Sequence, residues 1–110
     1  MNSHANADLY NLLIDELKDL NIAIEYFEKF EVEKDLKARE VAKDSISERV
    51  RRIDLRISNN HQMTFPTKEL VELLSQPKYT AKQIREVLDF PIESLRKFAL
   101  SEILRESITE

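Results

Sequence analysis

No glycine occurs anywhere in the chain, and this absence limits the folds that its 110 residues can adopt. Phosphate-binding loops of the P-loop and dinucleotide-binding types need backbone conformations that only glycine adopts readily, so both are excluded. Tight β-hairpins also favour glycine in their turns, which argues against an all-β fold. Helix ends must close through asparagine, serine, aspartate or proline instead. The sequence therefore predicts an all-α protein.

Cysteine is absent as well, which excludes disulfides, thiolate metal sites and cysteine nucleophiles and fits an intracellular protein. No apolar run approaches the roughly 20 residues that a membrane-spanning helix needs. Residues 1–10 do not have the pattern of a signal peptide. We expect a soluble, cytoplasmic protein of one domain's size that does not associate with a membrane.

The net charge of −4 opposes nucleic-acid binding, but the acidic side chains are unevenly distributed. Residues 1–30 hold two basic and six acidic side chains, which accounts for the whole imbalance. Residues 31–110 are therefore neutral in sum and are free to carry local positive patches.

The first half of the chain has the apolar period of two long amphipathic helices. Apolar residues recur every three or four positions from Asn6 to Phe27, and again over residues 36–58. Neither stripe would be buried completely by one hairpin alone, so a four-helix arrangement of two chains is favoured. We predict that residues 1–63 form a helical hairpin that makes a homodimer.

Two boundaries inside this hairpin stay open. Phe30 and Val32 alternate with charged residues, as in a short strand, so the first helix either ends near Phe30 or continues with a kink. Residues 45–48 match a capping box, which allows a second helix start at Asp44.

Residues 64–110 are predicted to form a second unit of three short helices. Thr80 and Gln83 have the spacing of a capping box, which starts a helix. Pro91 then disfavours a helical conformation at Phe90 but suits the first turn of a new helix. The predicted helices span residues 67–75, 80–89 and 91–107.

The last two of these helices have the layout of a helix-turn-helix, in which the second helix enters the DNA major groove. Arginine and lysine on its outer face would read guanine edges or neutralise phosphates. Five apolar residues occupy the positions expected to face inward, namely Ile84, Leu88, Phe90, Leu95 and Phe98. The candidate DNA-binding residues are Lys82, Glu93, Ser94, Arg96 and Lys97.

Residues 79–98 resemble the helix-turn-helix of MerR-type regulators, whose pattern runs roughly Y-T-I-x-x-x-A-x-x-x-G-V-S-x-x-T-L-R-Y-Y. Arg85 stands where that pattern has a small alanine, and Asp89 stands where it has the turn glycine. The resemblance implies a helix-turn-helix-like unit and not membership of the family. The matching residues are Tyr79, Thr80, Phe90, Ser94, Leu95, Arg96 and Phe98.

A bundle of packed helices is the alternative explanation of the same pattern. Likewise, the basic run of residues 48–56 is either a contact face for phosphate or an acidic partner, or a solvated face with pairs such as Glu48 with Arg52. Arg49, Arg52 and Arg56 share one helix face and are its candidate contact residues. The aromatic residues Tyr26, Phe27 and Phe30 are either core or a partner-binding patch.

Catalysis has little support in the sequence. The two histidines, His4 and His61, lie in a terminal segment and a polar loop, and no metal-ligand spacing is present. Carboxylates lie among basic residues at salt-bridge spacing, so no enzyme, metal or cofactor is predicted. The sequence predicts a small dimeric transcriptional regulator. The alternative is a non-enzymatic helical adaptor or inhibitor that binds a protein, for which the acidic first helix is a candidate surface.

Overall fold

The computed structural model describes residues 3–59 and 63–109, with side chains over residues 8–59 and 63–108, and there the chain forms helices without any strand. The all-α prediction is confirmed. The four helices are α1 (Ser3–Glu33), α2 (Leu36–Ile57), α3 (Thr67–Leu74) and α4 (Ala81–Thr109).

Helix α1 lies at the centre of the arrangement. It packs against α2 on one side and α4 on the other, while the short α3 contacts α2 and α4. Ion pairs join the first turns of α2 to the end of α1, and the last turns of α2 to the first half of α1, so the two helices are antiparallel. Contacts between α1 and α4 follow the same opposed order.

A single apolar core is shared by all four helices. It therefore joins the two segments that the sequence divides at residue 63. The predicted stripes supply it, and α3 and α4 complete the burial of the hairpin within one chain. Burial of these stripes therefore does not require a second chain, contrary to the expectation from the sequence. Its largest fully buried side chains are Phe27, Leu13, Leu17, Leu20, Ile24, Ile46, Ile53, Leu70, Ile84, Leu88 and Val50.

The turn between α1 and α2 shows how a chain without glycine ends a helix. Lys34 adopts the left-handed conformation with φ of 60°, and its N–H donates to the carbonyl of Glu31. The N–H of Asp35 donates to the carbonyl of Phe30, which completes a Schellman motif. Asp35 then caps α2 by accepting a hydrogen bond from the N–H of Ala38 at 3.1 Å.

The open boundaries of the hairpin are settled by this turn. Helix α1 continues unbroken through Phe30 and Val32, and it begins at Ser3, three residues before the predicted start at Asn6. Helix α2 is continuous across Asp44, so the capping-box spacing at residues 45–48 does not begin a helix.

The predicted break at residues 89–91 is wrong. Helix α4 runs without interruption from Ala81 to Thr109 with Pro91 inside it. The second unit thus contains two helices where three were predicted, and the turn of the proposed helix-turn-helix does not form. Phe90, predicted to face inward, is 80% exposed. It lies two residues after the buried Leu88, which places it on the opposite side of a continuous helix.

The start of α4 is as predicted and is held at a fixed position. Gln83 N–H donates to the hydroxyl of Thr80 at 3.3 Å, and Thr80 N–H donates to Gln83 Oε1 at 2.9 Å, which is a capping box. The Arg39 guanidinium lies over the stacked rings of Phe27 and Tyr79 and donates to the Tyr79 carbonyl at 2.7 Å. Burial raises the pKa of the Tyr79 phenol.

We predict that Lys34→Gly stabilises the protein, because glycine adopts the left-handed conformation without the steric cost of a Cβ. The free energy of unfolding, measured by urea denaturation, should rise by about 0.5–1 kcal/mol. Arg51→Gly, at an exposed position in the middle of α2, is the control and should destabilise by about 1 kcal/mol. A loss of stability in Lys34→Gly would contradict this turn.

Pro91→Ala is also expected to stabilise the protein, by about 1–2 kcal/mol, because alanine restores a hydrogen bond to the Val87 carbonyl and removes a steric clash. Proline at the start of a separate helix would give the opposite result, because there its fixed φ is favourable. Thermal and urea denaturation measure the difference. Pro77→Ala, outside the helices, is the control and should be neutral or slightly destabilising.

Candidate binding surface

The candidate DNA-binding residues all lie on α4, but they do not form one surface. Lys82 and Lys97 are exposed. Glu93 and Arg96 lie in a groove between α1 and α4, where the guanidinium donates two hydrogen bonds to the carboxylate at 3.1 and 2.6 Å. Ser94 lines a different cleft, between α3 and α4. The hydrogen bonds from Arg96 lower the pKa of the Glu93 carboxyl.

Arg85 makes the best-connected polar contact between helices. It donates to both carboxylate oxygens of Glu28 on α1, at 3.0 and 2.8 Å, and to Asn21 Oδ1 at 2.8 Å. The hydrogen bonds from Arg85 lower the pKa of Glu28 below its ordinary 4.5. The pair therefore stabilises the fold at neutral pH, and the stabilisation is lost as pH falls through the lowered pKa.

The candidate arginines of the basic run on α2 form ion pairs with carboxylates of the same chain. Arg56 pairs with Glu16 of α1, and Arg49 pairs with Asp19 of α1 at 3.3 Å. Arg52 pairs with Glu48 one turn earlier at 3.4 Å, as the solvated-face interpretation predicts. The three arginines therefore have carboxylate partners within the chain.

Half of the six carboxylates in residues 8–28 of α1 are neutralised by the same contacts. Glu16, Asp19 and Glu28 each pair with an arginine from α2 or α4. Glu16 is almost completely buried, and its Oε1 atom accepts no hydrogen bond. These carboxylates hold the helices together, which removes much of the negative surface expected for a nucleic-acid mimic.

The cleft between α3 and α4 reaches the surface beside an exposed aromatic ring. It encloses about 380 Å³, and Phe65 and Leu95 at its base are buried. Phe98 and Pro91 line it half-buried, while the ring of Phe90 stands exposed at its edge. An exposed phenylalanine beside an apolar cleft is typical of a protein-contact site.

A second groove, of about 720 Å³, lies between α1 and α4 and is open to solvent. Ile22 and Ile92 supply its apolar walls, and Lys18, Glu93 and Arg96 supply its polar rim. It continues along α1 into a shallow concavity of about 200 Å³ beside Ile22.

The three aromatic residues near the end of α1 have different environments. Phe27 is completely buried in the core, as the core interpretation predicts. Phe30 is half-buried, whereas Tyr26 is 52% exposed and stacks on Phe30 with ring centroids 6.0 Å apart. Tyr26 is exposed because it lies on the solvent-facing side of α1. The cluster of aromatic residues in the sequence does not by itself show which of them faces solvent.

The described residues include no group of three or more side chains arranged to hold a metal ion. The side chain of His4 and the whole of His61 lie outside the described residues. Among the described helices, none is long and apolar enough to cross a membrane.

We predict that Arg56→Ala lowers the free energy of unfolding by about 1–2 kcal/mol, because it leaves the buried Glu16 carboxylate without its partner. Arg52→Ala removes an arginine of the same helix whose pair is exposed, and it should lose less than about 0.5 kcal/mol. Urea denaturation compares the two variants. Equal losses would show that the Glu16 contact does not differ from a surface ion pair.

The chain matches no protein-family model, no curated protein and no solved structure. The MerR-type resemblance of residues 79–98 therefore stays a prediction. Function has to be inferred from the surfaces described above.

Proposed function

We propose that the protein is a non-enzymatic helical adaptor or inhibitor that acts as a homodimer and binds another protein through the cleft between α3 and α4. The exposed ring of Phe90 carries this proposal. Leaving a phenylalanine in water is unfavourable by up to about 1.5–3 kcal/mol relative to burying it, which a partner would recover.

The shape of the cleft favours an amphipathic helix or a short apolar segment as the partner. Its base and walls are apolar, and Glu69 and Ser94 supply polar groups at the margin. An anchor side chain from the partner would fill the cleft while the Phe90 ring covers it, which is the usual form of helix-in-groove recognition.

DNA binding through α4 is the competing proposal, supported by the exposed side chains of Lys82 and Lys97. Its support is weaker because α4 has no turn at residues 89–91 and is packed along α1. The ion pair between Glu93 and Arg96 also takes up the one arginine expected to read bases.

We predict that helical peptides selected from a displayed library against the intact protein will bind at this cleft. Phe90→Ala should weaken the selected peptides at least about tenfold, as expected for a central aromatic contact. Leu55→Ala removes a side chain of α2 that is 67% exposed and should leave binding unchanged. Calorimetry measures both affinities, and circular dichroism checks that each variant is folded.

The same experiment separates the two proposals when labelled duplex DNA is added as a second probe. Duplex binding that weakens steeply with salt and that is reduced by Arg96→Ala with Lys97→Ala would favour the regulator. Peptide binding that is indifferent to Phe90→Ala would overturn the cleft as the site.

A further inference from the structure

The outward face of α1 carries charged side chains that form no ion pair within the described residues. Asp15, Lys18, Glu25 and Lys29 are all exposed, and none forms an ion pair within the described residues. Two of these four are acidic and two are basic. Asp8 and Glu33, nearer the ends of α1, are exposed acidic residues that also form no ion pair within the described residues. Glu16, Asp19 and Glu28 of α1 reach arginines of α2 or α4. Lys18 lies at the rim of the groove between α1 and α4 and forms no ion pair across it.

An apolar patch lies at the middle of this face. Ile22 is 47% exposed, and Tyr26, one turn later, is similarly exposed. Both residues line the shallow concavity on α1, together with Glu25 and Lys29. An apolar centre with a charged margin is the usual composition of a protein interface.

The charges are arranged symmetrically about Ile22. Asp15 lies seven residues before it and Lys29 lies seven residues after it, which is two helical turns in each direction. Lys18 lies four residues before Ile22 and Glu25 lies three after it. In each case a residue on one side has a residue of opposite charge at nearly the same distance on the other side.

We propose that this face of α1 is the interface of the homodimer, formed by two copies of α1 packed antiparallel about a two-fold axis at Ile22. The inference rests on the dimer proposed above and assigns its surface. In that register Asp15 of one copy lies directly opposite Lys29 of the other, Lys18 lies one residue out of register with Glu25, and each pair occurs twice. The two Ile22 side chains pack at the centre and Tyr26 covers them.

The charge pattern favours a second copy over an unrelated partner, because a two-fold axis requires one surface to be complementary to itself. A parallel pairing of the same helices would place like charges opposite each other, and this would be unfavourable. Exposed ion pairs contribute little to affinity individually, so they set the register while the apolar centre supplies most of the attraction.

Charge reversal tests this interface. Lys18→Glu with Lys29→Glu makes the face wholly acidic, and Asp15→Lys with Glu25→Lys makes it wholly basic. Either double variant should dimerise at least about tenfold more weakly than the natural protein, because four attractive pairs become repulsive. An equimolar mixture of the two should form a heterodimer. Sedimentation velocity over a range of concentrations measures the affinities.

Lys68→Glu with Lys82→Glu makes the same change of charge away from α1 and is the matched control. Circular dichroism establishes that each variant is folded. A natural protein that remains monomeric at every concentration would overturn both the dimer and its surface. A dimer that responds to neither double variant would overturn the surface alone, and neither result bears on peptide binding at Phe90.

Discussion

Burial of the α1 stripe is the interaction on which the rest of the fold depends. Leu17, Leu20 and Ile24 are almost completely buried, and they belong to the helix that packs against both α2 and α4. Each such side chain contributes about 1.5–3 kcal/mol when it leaves water, which no surface ion pair in the chain can match. Helix α2 covers one edge of the stripe and α4 covers the other. Displacing either helix would therefore expose the apolar stripe to water.

This burial also explains why Pro91 does not break α4. Leu88 and Leu95 are seven residues apart, which is two turns, and Ala99 follows one turn later. All three face the core only if the helix is continuous through the proline. An internal proline costs about 3 kcal/mol, part of which is offset because proline restricts the unfolded chain, and turning Leu95 and Ala99 away from the core would lose burial worth about as much.

The helical spacing of apolar residues was therefore sufficient to predict much of the fold. Local preferences, such as that of proline for the first turn of a helix, were not sufficient to predict the rest. The apolar period located α1 and α2, the segments around Pro66 and Pro77 located the ends of α3, and the Thr80 capping box located the start of α4. The rule that proline begins a new helix failed because a local preference was weaker than packing against α1. The turn at Lys34 was not predicted either, since without glycine nothing in the sequence marks a left-handed residue.

The candidate surfaces were harder to predict because they depend on which charged side chains form ion pairs between helices. The sequence pattern places the arginines of α2 together on one helix face. In the structure, Arg49 and Arg56 pair with carboxylates of α1 that lie 30 and 40 residues away in the sequence. Phe90 was placed inward because of the assumed turn. Only the positions of α2 and α4 around α1 reveal which charged side chains of α1 form no ion pair within the described residues.

The two proposed surfaces are compatible because they lie on different helices. The cleft is lined by residues of α3, α4 and the segment before α3, whereas the dimer face is formed by α1, and α1 and α3 do not pack against each other among the described helices. A dimer through α1 would leave two clefts open. Two linked sites raise the effective concentration for a partner with two anchors, so modest affinity at each cleft would suffice for a stable complex.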